Sequence, residues 1–208
     1  MTPSDDAPSR RQAILDAAER CFVRAGFHRT TMQDVAAEAG MSPGNLYRYF
    51  PSKDVMVAGL TERDRAELRR KFSTLPDSGD FLADFGAFGR AYFENEPREK
   101  SILCLEIWAE ATRNPTVAAH NAEFGREVRE RLAGLFAGAK ARGAIPVSVD
   151  AEAAASVVLA LSHGLFVARA LGRYVDYPRD VANVFTVIKA LLAGKVPFED
   201  RAPEGPTA

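Results

Sequence analysis

Between Gly26 and Pro51 the chain is punctuated so closely that only two short helices fit. Thr30 and Thr31 are both good helix N-caps, because a hydroxyl there can accept a hydrogen bond from a free amide of the first turn. Gln33 and Asp34 follow three residues after them, so either threonine can complete a capping box. Val35, Ala36 and Ala39 then recur at helical spacing, and Gly40 supplies a left-handed stop. Ser42 is a second N-cap, and Pro43 suits the first helical position, where its missing N–H is no loss. Leu46 and Phe50 are four apart and share one face. Phe50 precedes Pro51, and a residue before proline avoids helical geometry. The pattern is a short helix, a turn over Ala39-Gly40-Met41-Ser42 and a second short helix. That is the layout of a helix-turn-helix, whose second helix enters a DNA groove.

The second helix turns Pro43, Gly44, Asn45 and Arg48 away from Leu46 and Phe50. Gly44 is a poor helix former, and it makes sense where another molecule must approach the backbone. Asn45 can pair with an adenine edge, and Arg48 with guanine or a phosphate. Tyr47 and Tyr49 can offer hydroxyls to phosphates. Ser52 can cap a fourth helix, and Lys53 places a cation where free amides also favour an anion. Ser42 and either Thr30 or Thr31 stand at similar helix starts. Taken singly, each residue has a plainer reading: tyrosines pack, arginines are solvated, serines and threonines cap. Their joint arrangement on one helix pair is what points to DNA.

Residues 10–60 resemble the N-terminal domain of the TetR (tetracycline-repressor) family. The resemblance is carried by Ile14, Ala17, Ala18, Phe22, Gly26 and Phe27, then by Thr30, Thr31, Val35, Ala36, Ala39 and Gly40. It is densest over Ser42-Pro43-Gly44-Asn45-Leu46-Tyr47, and continues at Tyr49, Phe50 and Lys53. It implies that Thr31, Ser42, Tyr47, Tyr49 and Lys53 contact phosphates, while Pro43, Gly44, Asn45 and Arg48 lie at the bases. It also implies a homodimeric repressor that a small ligand releases from a palindromic double-stranded operator.

The rest of the chain reads as helical, giving an all-α fold of about nine helices. Gly26, Gly40, Gly143, Gly172 and Gly194 each follow an apolar-periodic segment, where a left-handed cap is wanted. Only IPVSV, Ile145 to Val149, alternates like a brief strand. The first helix spans about Ser9 to Ala25, and the fourth Lys53 to about Phe72. LPDSGD, Leu75 to Asp80, is the best boundary. The expected organisation is a three-helix DNA-binding domain over 9–52, a connecting helix over 53–74, and a larger helical ligand-binding and dimerisation domain over 79–195. Flexible tails are expected at 1–8 and 197–208.

The helix expected from Asp150 to Gly172 is apolar nearly all round and needs cover on two sides. One face carries Val157, Leu161, Gly164, Leu165 and Ala168. The last helix carries the stripe Val181, Val184, Phe185, Ile188 and Leu192. Two such helices suit a self-complementary four-helix contact, and a helix-turn-helix needs a twin for a palindromic site, so these two sets are the expected dimer interface. A cavity for a mostly apolar effector is expected among Phe85, Phe88, Tyr92, Cys104 and Trp108, with His120, Phe124, His163 and Phe166 completing its wall. The bland alternative is that these aromatics are ordinary core. Glu106 and Glu110 flank Trp108 and read as a cation site or as solvated or paired carboxylates.

Composition narrows the alternatives. The formal charge of −1 announces no global attraction to nucleic acid, so DNA binding must rest on a local patch. Cys21 and Cys104 sit far apart in apolar stretches and read as reduced thiols of a cytoplasmic protein. The N-terminal decapeptide is polar, without the apolar core of a signal peptide, and the apolar run Ala153–Ala168 reads as a core helix rather than a membrane span. No phosphate-binding glycine motif, zinc-spaced cysteine cluster or paired histidine is visible, so no cofactor, metal or catalytic residue is expected. Two other readings stand beside a repressor: a helical ligand-binding protein or cryptic enzyme that does not act on DNA, and an activator with the same DNA contacts.

Overall fold

The structure, a computed structural model, describes residues 6–172 and 176–198. Nine helices lie among the described residues: α1 (Asp6–Ala25), α2 (Met32–Glu38), α3 (Pro43–Tyr49), α4 (Lys53–Ser73), α5 (Phe81–Asn95), α6 (Arg98–Ala111), α7 (Pro115–Ala141), α8 (Ala151–Leu171) and α9 (Tyr177–Leu192). The five glycines expected to cap helices all have positive φ. At the N-terminus α1 already begins at Asp6, so residues 6–8 are helix rather than loose arm. Of the two expected tails, residues 1–5 and 199–208 lie outside the described residues.

The stretch Ile145–Val149 is not a strand. Ile145 and Val149 are buried, but Val147 is 81% exposed, so the alternation does not persist. Pro146 has no amide for a ladder, and its carbonyl accepts from Val149 N at 3.1 Å to close a turn. Among the described residues there is no strand for it to pair with.

The chain divides into two compact units. The first comprises Met1–Thr74, Glu96–Glu127 and Gly164–Tyr174. Its core is built on α1, which buries Ile14, Ala17, Ala18, Cys21 and Phe22. Val35 and Ala36 from α2, Leu46 and Phe50 around α3, and Met56, Val57 and Leu60 from α4 pack against them. Leu103 and Ile107 of α6 and Val117 of α7 belong to the same core. The distal part of α4 is held by charge. Arg63 pairs with Asp16 and Glu19 of α1, Asp64 with Lys100 of α6, and Arg65 and Arg69 with Glu127 of α7.

The second unit comprises Leu75–Asn95, Val128–His163 and Val175–Ala208. Here α5 packs along α9. The close approach is set by Gly89, because a Cβ at that position would overlap the Phe185 ring. Phe81, Phe85 and Phe136 form an aromatic cluster, with Phe85 and Phe136 edge to face at 5.2 Å between centroids.

Burial within the chain divides the residues expected at a dimer face. Val181, Phe185, Ile188 and Leu192 of α9 are buried within the chain itself, as are Leu165 and Ala168 of α8. The strongest apolar stripe of α9 therefore supplies its own core, and Val184 is half-buried. Beside the exposed polar residues Glu152, Ser156 and His163, α8 exposes Val157, Ala160, Gly164, Val167 and Leu171, a stripe of small and apolar residues at helical spacing, with Leu161 half-buried beside it. On α9 the exposed apolar residue is Val187, 53% exposed. By length and composition α8 is apolar enough to cross a membrane, yet Ala154, Ala155, Val158, Leu165 and Ala168 are buried in this fold.

Candidate nucleic-acid interface

The α2–α3 pair is built from local signals that the sequence carries in full. Thr31 is the N-cap of α2, and its hydroxyl oxygen accepts from Asp34 N at 3.1 Å. The Asp34 carboxylate accepts in return from the Thr31 amide at 2.8 Å and hydroxyl at 2.7 Å. These bonds hold the Asp34 carboxyl below the usual range, the hydroxyl contributing most. At the far end, Gly40 has φ +63°. Gly40 N donates to Ala37 O at 3.1 Å and Met41 N to Ala36 O at 2.9 Å, the paired bonds of a Schellman motif. Ser42 then caps α3, its hydroxyl accepting from Asn45 N at 3.3 Å. Phe50 ends α3 in an extended conformation before Pro51, and Ser52 caps α4, accepting from Val55 N at 3.3 Å.

Burial sorts the predicted contacts into an outer and an inner set. Leu46 and Phe50 are fully buried and pin α3 to the core. Ser42, Pro43, Gly44, Tyr47 and Arg48 are exposed on the opposite side, and Thr31 is exposed at the start of α2. Asn45 is half-buried. Nothing in the fold stands within 4 Å of a Cβ placed on Gly44, so the fold does not require glycine there. Tyr49 is half-buried against the core rather than free. Its carbonyl, at the end of α3, accepts from the Arg11 guanidinium at 3.1 Å, and that guanidinium lies 4.1 Å from the centre of the Phe50 ring.

Thr30 does not belong to the outer set. It is 2% exposed, and its hydroxyl donates inward to Gly26 O at 2.8 Å, with Cys21 O also within 3.1 Å. The capping role falls to Thr31, and Thr30 instead ties the loop to the end of α1. Lys53 is held more tightly than a surface cation. Its ammonium donates to Phe27 O at 2.6 Å, lies 3.5 Å from His28 O, and sits 4.3 Å from the centre of the Phe27 ring. Burial pushes its pKa down, and the Glu110 and Asp54 carboxylates work against that shift.

Two residues of this region were not predicted as part of it. Glu106 of α6 accepts from Phe27 N at 2.8 Å, and Glu110, 4% exposed, lies 3.0 Å from His28 Nε2. Their position beside Trp108 gave no hint of these partners, which are distant in sequence.

The residues predicted to line an effector cavity divide between the units. Cys104, Trp108, His120, Phe124 and Phe166 belong to the first; Phe85, Phe88, Tyr92 and His163 belong to the second. Within the first unit Trp108 and Phe166 meet edge to face at 6.1 Å. Burial pushes the Cys104 thiol up to about 12. In the second, Phe85 is enclosed by Phe81 and Phe136, while Tyr92 meets Phe93 edge to face at 5.0 Å. No group of three or more potential metal ligands lies together among the described residues.

Two family models match the chain. Residues 14–60 match bacterial regulatory proteins of the tetR family, and residues 81–194 match the C-terminal region of BetI-type transcriptional repressors. The HTH-type transcriptional regulator UidR of Escherichia coli (strain K12) is 28% identical over 160 residues, covering 77% of this chain and 81% of its own. The HTH-type transcriptional regulator TtgR of Pseudomonas putida is 28% identical over 177 residues, covering 77% and 80%. The solved structure of Salmonella enterica GusR superposes with a TM-score of 0.76 at 29% identity, covering 92% of this chain and 98% of that one. With a helix-turn-helix that turns α3 outward and family matches over both parts of the sequence, this chain belongs to the TetR family of transcriptional regulators.

Proposed function

We propose that the chain is a homodimeric, cytoplasmic repressor that binds a palindromic operator through α3 and is released by a small, mostly apolar effector. Residues 9–52 act as the DNA-binding domain, 53–74 as the connecting helix, and 79–195 as the ligand-binding and dimerisation domain. The observation that carries this reading is the outer side of α3. Ser42, Pro43, Gly44, Tyr47 and Arg48 are exposed together, and Gly44 answers no packing demand of the chain. An open backbone at a helix start, flanked by hydrogen-bond donors, suits a phosphate-lined groove.

In this reading Thr31, Ser42, Tyr47 and Lys53 position the protein on phosphates, and Asn45 and Arg48 read base edges. Tyr49 contributes by packing and by its backbone. Two copies place their recognition helices about 34–36 Å apart, one turn of DNA. Self-association uses the exposed stripe of α8 around Val157 and Gly164, with Val187 of α9. The aromatic residues around Trp108 and Phe166 receive the effector. Effector and operator then oppose each other equally, because coupling between two binding sites is reciprocal.

The test is duplex binding by full-length protein across a salt series. Wild type is expected to lose affinity steeply as salt rises. Tyr47→Ala and Lys53→Ala should weaken binding to all sequences. Asn45→Ala should instead relax preference at one base position, by about 1–3 kcal/mol of discrimination. Binding that is absent, or indifferent to salt, would refute the DNA reading.

A further inference from the structure

The loop between α1 and α2 is gripped by helix α6 through its main chain. Glu106 accepts from Phe27 N at 2.8 Å, and its carboxylate lies 3.2 Å from where a Cβ on Gly26 would sit. One turn further along α6, the buried carboxylate of Glu110 accepts from Arg113 Nε at 3.0 Å and Asn114 Nδ2 at 3.3 Å, and lies 3.0 Å from His28 Nε2. Asn114 also donates to Asp54 of α4 at 3.1 Å. On the other side of the loop, Lys53 closes the knot on Phe27 O and His28 O.

We propose that Glu106 and Glu110 are positioning residues for DNA binding, acting through the loop to fix the Lys53 ammonium at the start of α4. This rests on the repressor reading above, in which Lys53 meets a phosphate. An ammonium has three donors. Two carbonyls of a loop that cannot drift orient it, and a donor remains for an anion at the adjacent helix start. Without the glutamates the loop loses these ties to α6, and the two carbonyls no longer hold Lys53 in one place. Lysine is otherwise a flexible point charge, whose ordering on binding weakens the contact it makes.

The test uses the full-length protein and a duplex that wild type selects from a random-sequence pool, with affinity followed against salt. Each phosphate contact contributes about 0.9 to the slope of log K against log salt. Glu106→Ala is expected to lower the slope by about 0.9 per protomer, as Lys53→Ala does. Glu106→Gln should keep the wild-type slope, because its amide oxygen still accepts from Phe27 N. The Lys53→Ala/Glu106→Ala pair should lose no more than either alone. A mere loss of folded protein lowers the active fraction and leaves the slope unchanged. Glu110→Met, which keeps the side chain's bulk but none of its accepting oxygens, serves where Glu110→Ala fails to fold; a slope reduced like that of Lys53→Ala is expected of it. Wild-type slope in Glu106→Ala, or additive losses in the pair, would overturn the proposal. A wild type without salt-dependent binding would instead overturn the repressor reading on which it rests.

Discussion

At the scale of single residues, two glycines of the helix-turn-helix separate what the fold needs from what the proposed DNA contact asks. Gly40 sits at φ +63°, whereas Gly44 occupies ordinary helix with open space around it. Gly40→Ala should cost roughly 1–2 kcal/mol, the strain of a left-handed alanine. Gly44→Ala should leave stability unchanged or raise it by up to about 1 kcal/mol through helix propensity, while lowering duplex affinity. Thermal unfolding beside duplex titration reads both, and a Gly44→Ala protein that binds as well as wild type would remove that backbone from the interface. The caps at Ser42 and Ser52 were legible in the sequence because capping is local. The choice between Thr30 and Thr31 was not. Both have a suitable partner three residues on, and the decision comes from Gly26 O and Cys21 O, which capture the Thr30 hydroxyl.

Elements show a similar division. Helix extents followed from glycine, proline and cap signals, while the partners of α4 did not, because nothing local marks which of its charged residues meets a partner on a distant helix. Asp64 and Lys100 instead form a largely buried pair. Burial pushes the Asp64 carboxyl up, against the pull of Lys100. Held more tightly in the folded chain, its proton contributes stability that is full below the ordinary carboxylate pKa and is lost as pH rises through the raised value. Removing one partner strands the other, so Asp64→Leu or Lys100→Met alone should destabilise by about 3–5 kcal/mol. Asp64→Leu with Lys100→Met should be near neutral or stabilising. Chemical denaturation of the three variants checks this, and additive losses would show that the pair is not coupled. Ile145–Val149 erred for a related reason: alternation signals a strand only where a neighbouring strand exists to pair with it.

For the molecule as a whole, the all-helical architecture was readable from periodicity, but the outward side of each apolar helix was not. The clearest stripe, on α9, turned inward because it was the best core material available. The weaker stripe at Val157, Gly164 and Val167 was left outside. Under the proposed self-association, Val157→Glu and Val187→Glu should shift the protein toward monomer in sedimentation and lower duplex affinity together; dimers that persist in both would place the contact elsewhere. Because Leu103, Ile107 and Val117 complete the core around α1, the helix-turn-helix cannot finish packing while translation is still short of α7. A ribosome-bound chain ending near residue 95 should keep these helices open to protease, and one extended beyond residue 127 should protect them. Synthesis itself would then keep half-made regulators off DNA until the C-terminal region has begun to form.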